Sequence, residues 1–287
     1  MSFQPFIWLQ HILPQHLLSR LAGAIARSER PWLRDRLIRR FAKAYNVDMD
    51  QAERPLGDYR NFNDFFTRAL KPGMRPLADG GTDVLCPADG AVSQIGLIAD
   101  GRIVQAKGQS YTAAELLGGD DALAKRFEGG SFITIYLSPS DYHRVHMPVD
   151  GTLQQTAYIP GDLFSVNTVT AENVPRLFSR NERLSSVFDT PLGAMASVMV
   201  GAMIVASIET VWGGLVKPHQ KQIVRTSFGQ GEKAAPQLRA GDEMGRFLLG
   251  STVILLFEPG KVQWADDLKP LSVVRMGQSL GRISASR

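Results

Sequence analysis

The sequence contains a single cysteine, Cys86, among 287 residues. One thiol excludes an intramolecular disulfide framework and cannot by itself build a cysteine-based zinc site. This usage is typical of a chain exposed to a reducing compartment such as the cytosol. With 44% hydrophobic and 21% charged residues, the chain can bury a sizeable core, so the sequence is not that of a disordered protein.

Long hydrophobic runs are also missing. The best candidate for a membrane-spanning helix, residues 194–208, is short, contains Ser197 and Gly201 and is followed by Glu209, so we read it as a buried strand. The start of the chain has no basic region, and Pro14 and polar neighbours interrupt the apolar residues that a secretory signal needs. Any contact with a membrane is therefore expected to be peripheral.

Acidic residues are scarce near the N-terminus. Residues 1–45 contain eight Lys or Arg and two Asp or Glu, so they carry a net charge of +6, whereas the rest of the chain carries −2. This asymmetry indicates an anionic partner for the N-terminal segment, either a membrane surface or a nucleic acid. The apolar face of the segment and the negative remainder of the chain argue against nucleic acid.

Apolar residues in the same segment recur at helical spacing, which predicts two or three short helices. The last of these helices is expected to run from about Pro31 to Tyr45, with Asn46 ending it. Trp and Leu on one side with arginines nearby are typical of a helix that lies in the plane of a membrane surface. The alternative is a helical cap packed on its own domain.

Beyond residue 70 the pattern changes from helix to strand. Asn61 predicts the N-cap of one more short helix, and the Pro- and Gly-containing segment 71–81 is read as a link. Short helices are predicted near 112–117 and 122–127. Apolar and β-branched runs predict strands at 95–99, 102–106, 132–137, 197–200, 203–208 and 253–257, with Asp100-Gly101 as the hairpin turn between the first two.

The sequence therefore predicts an α+β fold of two regions. Amphipathic helices fill residues 1–70, and residues 71–287 form a mostly β domain of barrel or sandwich type. Two segments resemble each other, Pro87-Ala-Asp-Gly-Ala-Val and Pro148-Val-Asp-Gly-Thr-Leu, each with an Asp-Gly turn entering a strand. They indicate either a duplicated β-motif or turns that recur in barrels and sandwiches without common origin.

Two histidines lie only three residues apart, His143 and His146. A metal site there needs a third ligand such as His219 or Asp141, and no metal-binding motif of the HExxH type is present, so no metal is expected. They are then either structural residues of a turn or general acid–base groups, because an imidazole gains and loses a proton near neutral pH.

A second candidate is Gly250-Ser251, which precedes the apolar run 253–257. Composition alone favours a glycine bend entering a core strand. A serine becomes a nucleophile only when a base takes its proton, which gives Ser251 a role if His143 or His146 reaches it. Asp89, in the first Asp-Gly turn, is then the candidate acid that orients the imidazole.

Six motifs occur in order along the chain: Pro87-Ala-Asp-Gly, Gln105-Ala-Lys-Gly, Leu137-Ser-Pro-Ser-Asp-Tyr-His-Arg-Val-His-Met-Pro, Tyr158-Ile-Pro-Gly-Asp-Leu-Phe-Ser-Val-Asn, Arg180-Asn-Glu-Arg and Gly245-Arg-Phe-Leu-Leu-Gly-Ser-Thr. Through these motifs the chain resembles, over nearly its whole length, the bacterial phosphatidylserine decarboxylase family in its membrane-associated form. The resemblance is weaker in the N-terminal helices and in segment 217–237.

The resemblance implies a proenzyme that cuts itself between Gly250 and Ser251 and converts Ser251 to a pyruvoyl group, its covalent cofactor. Asp89, His146 and Ser251 then form the self-processing triad. His143 assists decarboxylation, with an exchange of roles between the two histidines left open. The pyruvoyl carbonyl forms a Schiff base with the substrate amine and accepts the electrons left when carbon dioxide departs.

The resemblance further implies that phosphatidylserine is converted to phosphatidylethanolamine at the cytoplasmic side of the cell membrane, with the protein bound peripherally. The two cleavage chains are expected to stay together, and the assembly to be a homo-oligomer. Two competing hypotheses remain. One is a Ser-His-Asp hydrolase without self-cleavage, although the GxSxG motif of common α/β hydrolases is missing. The other is a lipoyl- or biotin-carrier β-module, for which we find no convincing lysine at a hairpin tip.

Overall fold

The computed structural model describes residues 10, 12–79, 81–106, 108–202, 207–216, 220–229, 234–248 and 251–284, with Ser251 described by its backbone alone. Seven α-helices lie in these ranges: α1 Gln15–Ala26, α2 Pro31–Ala44, α3 Phe62–Phe66, α4 Ala113–Leu116, α5 Asp121–Arg126, α6 Thr168–Asn173 and α7 Leu177–Arg180. A short 3₁₀-helix covers Leu56–Asp58.

The strands alternate with these helices and then dominate the second half of the chain. They are β1 Asp83–Leu85, β2 Gly90–Leu97, β3 Arg102–Ala106, β4 Gln109–Thr112, β5 Ser131–Leu137, β6 Arg144–His146, β7 Gly151–Ile159, β8 Arg183–Thr190, β9 Gly193–Val200, β10 Ile208–Thr210, β11 Gly214–Leu215, β12 Val224–Ser227, β13 Gln237–Leu238, β14 Glu243–Phe247, β15 Ser251–Phe257, β16 Val262–Trp264, β17 Val273–Val274 and β18 Ser279–Ile283.

The helix predictions are confirmed by local chemistry. Helix α2 has Pro31 in its first turn and ends at Ala44, after which Asn46 adopts a left-handed conformation with φ +48°. Asn61 caps α3 by accepting a hydrogen bond from the backbone N–H of Asp64. Helices α4 and α5 lie where short helices were expected. Within the described ranges, no helix combines the length and hydropathy needed to cross a bilayer.

A nine-stranded sheet forms the centre of the molecule. Its strands follow the order β12-β7-β8-β9-β15-β5-β2-β17, and β13 pairs with β7 beside this path. Strand β15 lies near the middle, paired antiparallel with β5 on one side and β9 on the other. All its side chains from Thr252 to Phe257 are buried, which confirms the predicted core strand at 253–257.

Two layers of hydrophobic core lie on the two faces of this sheet. One core joins the sheet to two smaller sheets, of order β1-β18-β16 and β11-β10-β14-β6. The other joins it to the β3–β4 hairpin and to helices α4 to α7. The α+β prediction is confirmed. In the described part of the chain no sheet closes into a barrel, because β12 and β17 end the central sheet at opposite edges.

Two strand predictions need correction. Asp100 and Gly101 both have positive φ, as a tight hairpin turn requires, but β3 pairs with β4 and meets the preceding segment only at the Ala99–Arg102 bridge. The run 194–208 is a buried strand only up to Val200, where β9 ends. Residues 203–206 lie outside the described ranges, and β10 begins at Ile208.

The resemblance between the two Asp-Gly segments extends to the backbone. The N–H of His146 donates to the Pro87 carbonyl at 2.8 Å, and the N–H of Leu85 donates to the Pro148 carbonyl at 2.9 Å. Residues 85 and 87 thus correspond to 146 and 148, an offset of 61. Strands β1 and β6 pair with β18 and β14 at equivalent positions, each across a bulge.

The strands that follow these turns repeat as well. Strands β2 and β7 each carry a bulge three residues after the glycine of the Asp-Gly turn. The bulge lies between residues 92 and 94 in β2 and between residues 153 and 155 in β7. Each also pairs at its start with a two-residue strand, β17 or β13. The structure therefore confirms the duplicated β-motif as an architectural feature.

One repeat is inserted into the other. We name the strands β6 to β10, β13 and β14 the inner repeat, and β1, β2, β5 and β15 to β18 the outer repeat. In the inner repeat a short turn joins the paired residues Thr190 and Gly193 of β8 and β9. The equivalent pair in the outer repeat is Leu137 and Ser251. The whole inner repeat lies between these two residues in the chain.

Candidate active site

The predicted site residues converge on one end of the central sheet. Asp89 precedes the first residue of β2, Leu137 is the last residue of β5, and Ser251 is the first residue of β15. Ser251 pairs with Leu137, and Ala91 pairs with the adjacent Tyr136 on the other side. Because neighbouring strands lie about 4.8 Å apart, the start of β2 and Ser251 are about 10 Å apart.

Both histidines belong to the same end. The chain leaves β5 at Leu137, forms a loop that contains His143, and enters β6, which ends at His146. Strand β6 pairs with β14, where His146 lies opposite Glu243, and β14 leads towards the predicted cleavage site. Gly250 itself, the side chain of Ser251 and the possible metal ligand His219 lie outside what the structure describes.

The imidazole of His146 is held by both ring nitrogens. Nδ1 lies 2.8 Å from the Gly241 carbonyl oxygen, which only accepts, so Nδ1 carries the proton and donates it. Nε2 is then the acceptor, and the Tyr142 hydroxyl donates to it at 3.0 Å. Burial lowers the pKa of His146, while the Gly241 carbonyl and the Glu243 carboxylate oppose that shift. This tautomer presents the lone pair that a general base needs.

Asp89 has partners other than His146. Its carboxylate forms a buried ion pair with Arg75, whose Nε lies 2.8 Å from Oδ1, and Oδ1 also accepts the backbone N–H of Met276 at 2.9 Å. Among the described contacts His146 bonds Tyr142 and Gly241, so the structure brings Asp89 to the site without a direct bond to the imidazole. The negative charge of Asp89 nevertheless favours protonation of His146.

His143 lies in an apolar setting against α3. Its ring stacks on Phe66 with 3.9 Å between centroids and 21° between planes, and both side chains are fully buried. Burial, reinforced by the nearby Arg68 cation, lowers the pKa of His143 to about 3, whereas the carbonyls of Pro139 and Ser138 oppose that shift. His143 is therefore neutral at physiological pH.

Several residues of the site were not singled out from the sequence as functional. Tyr142 stands inside the motif that carries both histidines, so its position was visible but its role was not. Arg75 precedes Asp89 by fourteen residues, and only the tertiary fold reveals their ion pair. Asp141 was named only as a metal ligand. Burial raises its pKa, and its Oδ2 accepts the Ser138 N–H at 2.6 Å.

A polar cavity of about 260 Å³ opens beside these groups. Its wall includes Arg68, Arg75, Asp89, Asp141 and Tyr142. Arg68 is almost fully buried and donates from Nη2 to the carbonyls of Ser140 and Asp141, which fixes the loop between β5 and β6. The cavity therefore presents cations and carboxylates together at the end of the sheet where Ser251 begins β15.

The N-terminal helices present an apolar surface next to this site. Leu17, Leu21 and Ile25 recur every four residues along α1 and are exposed, as are Ile12 and Trp32. An apolar groove of about 440 Å³ runs between α1 and α2 and reaches Phe62 of α3. From α2, Phe41 contacts Phe62 and Phe66. Packed aromatic rings thus connect the exposed helices with His143.

Comparison with protein families gives two matches along the chain. The family model described as phosphatidylserine decarboxylase matches residues 62–282, which is more than half of the chain and includes every predicted site residue. A second model, described as PSD, matches residues 5–46, the segment that contains α1 and α2.

Curated relatives match over nearly their full length. The phosphatidylserine decarboxylase proenzyme of Ectopseudomonas mendocina is 57% identical over 277 residues, covering 96% of this chain and 97% of that protein. The proenzyme of the same name from Pseudomonas fluorescens is 58% identical over 277 residues, covering 96% of both chains. The one from Pseudomonas entomophila is 57% identical over 281 residues, covering 98% of both. The chain therefore belongs to the phosphatidylserine decarboxylase family.

Proposed function

We propose that this protein is a phosphatidylserine decarboxylase made as a proenzyme, which cuts itself between Gly250 and Ser251 and converts phosphatidylserine to phosphatidylethanolamine and carbon dioxide. The observation that carries the proposal is the convergence of Asp89, His143, His146 and the start of β15 at one end of the sheet, in a chain of this family.

Self-cleavage requires a nucleophile and a base. In the proposed reaction the Ser251 hydroxyl attacks the Gly250 carbonyl carbon while His146 receives the hydroxyl proton. The C–N bond breaks, the nitrogen takes a proton, and Gly250 becomes esterified to the Ser251 oxygen. Elimination of this ester releases the Gly250 carboxylate and leaves dehydroalanine at 251, which tautomerises and is hydrolysed to a pyruvoyl group and ammonia.

Asp89 is proposed as the third member of this processing group. Its ion pair with Arg75 and its bond to the Met276 N–H fix the carboxylate at the start of β2. From there its charge stabilises the imidazolium that forms when His146 accepts the proton. Met276 follows the cleavage site in sequence, so Asp89 also joins the two chains that cleavage produces.

The described residues fit a pyruvoyl group at position 251. The start of β15 lies beside the loop of Ser138 to His143, and Ser140, Asp141 and Tyr142 of this loop line a cavity at the end of the sheet. The pyruvoyl carbonyl supplies the electron sink for decarboxylation. After the Ser251 nitrogen has left as ammonia, the rest of β15 is expected to stay in the core, because Val253 to Phe257 are fully buried.

His143 is the proposed group that returns a proton to the substrate Cα. As a neutral imidazole it must first gain that proton, and a nearby anion raises the pKa of a histidine. Phosphatidylserine carries phosphate and carboxylate charges, so its arrival provides the anion. The different environments of the two histidines support this division of roles, because the Tyr142 hydroxyl donates to Nε2 of His146, whereas the His143 ring stacks on Phe66.

A diacyl substrate also accounts for the exposed N-terminal helices. Moving lipid chains into water costs about 0.8 kcal/mol per methylene, so the enzyme must act at the membrane surface. The apolar stripe of α1, the groove beside α2 and the excess of basic residues in segment 1–45 suit peripheral binding to an anionic surface on the cytoplasmic side of the cell membrane. Residues 1–70 are proposed as this membrane region, 71–287 as the catalytic domain, and a homo-oligomer as the assembly.

Intact-mass spectrometry of the denatured protein tests the proposal. The wild-type protein is expected to give two chains divided after Gly250, with the smaller one lighter by ammonia and reducible by borohydride. Ser251→Ala is expected to remain one chain. Wild-type protein should release carbon dioxide from phosphatidylserine vesicles, and Ser251→Ala should not.

An uncut wild-type chain that reacts with serine-directed acylating probes would instead support the hydrolase hypothesis. Cleavage without decarboxylation would keep the self-processing mechanism and reject the substrate. The His143→Ala variant separates the two steps, because it is expected to cleave at position 251 while losing most of its decarboxylase activity.

A further inference from the structure

We propose that the turn at residues 269–272 is a membrane contact of the β domain, which places the side chains of Leu271 and Val273 in a lipid surface. The inference rests on the proposed function, because it adds a second contact to the peripheral binding proposed there for residues 1–70. The turn belongs to the part of the chain that follows the proposed cleavage site.

The turn holds a leucine in a conformation that leucine rarely adopts. The N–H of Ser272 donates to the Lys269 carbonyl at 3.0 Å, which closes a β-turn with Pro270 second and Leu271 third. Leu271 has φ +73°, in the left-handed region where a turn usually has glycine or asparagine. Its N–H donates to the Val92 carbonyl at 2.7 Å, so strand β2 holds this backbone in place. The fold therefore maintains a leucine where glycine would be unstrained.

Burial of the side chain does not offset this strain. Leu271 is 72% exposed and Val273 is 79% exposed, and within the described ranges no other large apolar side chain is as exposed as these two. Apolar side chains stabilise a fold when they leave water, and these two remain in it. A strained backbone that presents an exposed apolar pair indicates a partner outside the folded chain.

Comparison of the two repeats separates the apolar pair from the scaffold. Strands β17 and β13 pair with the equivalent starts of β2 and β7, and in this alignment Val273 corresponds to Gln237. Gln237 is exposed as well. Leu271 corresponds to Ala235, a small residue, at the same offset of 36. The backbone arrangement thus does not need apolar side chains here, and the outer repeat has acquired them.

The turn lies on the side of the β domain where the N-terminal helices end. Val273 lines the same cavity as Asn46 and Asp48, which follow α2. Tyr45, the first residue after α2, is also exposed. Strand β17 pairs with the start of β2, next to Asp89. A lipid surface that receives both the helices and the turn would therefore face the end of the sheet that carries the candidate site.

The small size of the patch favours a lipid surface over a second copy of the chain. Two side chains offer at most a few hundred Å² of apolar surface, whereas a stable protein–protein interface buries about 1,200 Å² or more. A fluid lipid surface accepts single side chains that project from a turn, without a complementary shape. Charge does not decide the partner, because exposed Lys269 and Arg275 flank the pair and exposed Asp266 and Asp267 precede it.

The test measures binding of uncleaved Ser251→Ala protein to vesicles of phosphatidylglycerol and phosphatidylethanolamine, which contain no substrate, by co-sedimentation. The double variant Leu271→Asn with Val273→Gln is expected to bind at least tenfold more weakly, because two apolar side chains no longer enter the lipid. Asparagine tolerates the left-handed conformation, and glutamine copies Gln237 of the inner repeat. The double variant should therefore unfold at the same temperature as its parent or at a higher one.

Leu97→Asn is the matched control. Leu97 is 67% exposed and is the last residue of β2, whereas β17 pairs with the first two residues of that strand. The two ends of β2 are about 20 Å apart at the usual rise of a strand. The control removes an equally exposed leucine far from the turn, so it is expected to bind vesicles as the parent does.

A fluorescent label identifies the partner directly. Leu271→Cys and Leu97→Cys are each labelled with a dye whose emission moves to the blue in apolar surroundings. The native Cys86 should stay unlabelled, because it is buried and burial raises its pKa to about 12. With vesicles, the dye at 271 is expected to move to the blue and to be quenched by brominated lipid chains. The dye at 97 is expected to do neither.

Three results would overturn the membrane contact: a parent that does not bind vesicles, a double variant that binds within threefold of its parent, or equal quenching at 271 and 97. A blue shift at 271 that grows with protein concentration in the absence of vesicles would overturn it too, and would assign the turn to a second copy of the chain. Failure of the proposed function looks different. The wild-type chain would then stay whole or release no carbon dioxide, while the turn would still bind the substrate-free vesicles.

Discussion

At the residue scale, His143 shows how burial decides chemistry. Its ring is enclosed between Phe66 and the loop after β5, and no carboxylate is among the charged groups that shift its pKa. The neighbouring cation, Arg68, adds to the desolvation effect. A histidine in this setting is a poor proton donor unless an anion enters, so the proposed role of His143 requires an anionic lipid headgroup to bind nearby.

This environment predicts a pH dependence of stability. The pKa of His143 is near 6.5 in the unfolded chain and about 3 in the folded one, so the unfolded state binds more protons between these values. The stabilisation that the folded state gains from the lowered pKa of His143 is complete above pH 6.5 and is lost as the pH falls towards 3. Urea unfolding of Ser251→Ala protein at pH 8 and pH 5 measures it. Between pH 8 and pH 5 the free energy of unfolding of the protein with His143 is expected to fall by about 2 kcal/mol more than that of the His143→Leu variant.

Equal losses in the two proteins would show that His143 titrates normally in the folded chain. The comparison cancels the contributions of other titrating groups, including His146, because both proteins retain them. Leucine is the suitable replacement, since it fills a similar buried volume beside Phe66 without a titratable group.

The identities of the predicted site residues followed from the sequence, but their bonds did not. The spacing of His143 and His146 and the Asp-Gly turn at Asp89 marked groups with suitable chemistry. Which oxygen faces which nitrogen depends on tertiary structure. Gly241, which lies 95 residues after His146, supplies the carbonyl that accepts from Nδ1 of His146. Arg75 forms an ion pair with the carboxylate of Asp89. No periodicity or local motif encodes contacts at such separations.

At the element scale, strand predictions succeeded where one apolar run forms one strand. The run 253–257 became β15 and 132–137 became β5, because buried central strands are continuously apolar. The predictions failed where pairing is chosen by distant partners. Strand β3 turns back onto β4, so the hairpin at Asp100-Gly101 is reduced to one bridge. Periodicity identifies a strand but does not identify its neighbour.

The two Asp-Gly strand entries provide a matched pair of glycines for an element-scale prediction. A Cβ at Gly90 would lie 2.2 Å from the Tyr136 carbonyl oxygen on β5, a backbone atom that cannot move aside. A Cβ at the equivalent Gly151 would meet only side-chain atoms at 3.2 Å. Gly90→Ala is therefore expected to lower the free energy of unfolding by about 3 kcal/mol or more, and Gly151→Ala by about 1 kcal/mol.

Urea unfolding of both variants in the Ser251→Ala background measures this difference. In the cleavable background, Gly90→Ala should also slow self-cleavage, because Tyr136 precedes Leu137, the pairing partner of Ser251. Similar stabilities for the two variants would mean that β2 and β5 can separate without cost at this point.

At the scale of the whole molecule, the proposed cleavage site lies where one repeat is inserted into the other. Leu137 and Ser251 are paired neighbours, as Thr190 and Gly193 are in the inner repeat, where Pro191-Leu192 joins them. Cleavage before Ser251 thus cuts a connection between repeats and leaves both β-motifs paired. From the sequence, the two Asp-Gly segments indicated a duplication as one of two alternatives. The sequence could not reveal the insertion, because the second half of the outer repeat has no such marker.

The insertion of the inner repeat into the outer repeat predicts that each repeat can be formed by a separate chain. One chain joins residues 1–137 through Pro-Leu to residues 251–287 with Ser251→Ala, copying the β8–β9 turn, and the other chain is residues 138–250. Six residue pairs between β9 and β15, together with the exchanged bonds of Leu85 with Pro148 and of His146 with Pro87, are expected to hold the two chains together. Co-expression followed by size-exclusion chromatography and native mass spectrometry should give a one-to-one complex.

The control places the break inside a strand rather than between repeats. Here one chain joins residues 1–133 through Pro-Leu to residues 255–287, and the other is residues 134–254, so that β5 and β15 are both divided. This pair is expected not to assemble, because the breaks divide two adjacent central strands. They would expose side chains that are fully buried, including the paired residues Ile133 and Leu255. Assembly of both pairs, or of neither, would contradict the view that the boundary between the repeats, at the proposed cleavage site, is the natural division of this fold.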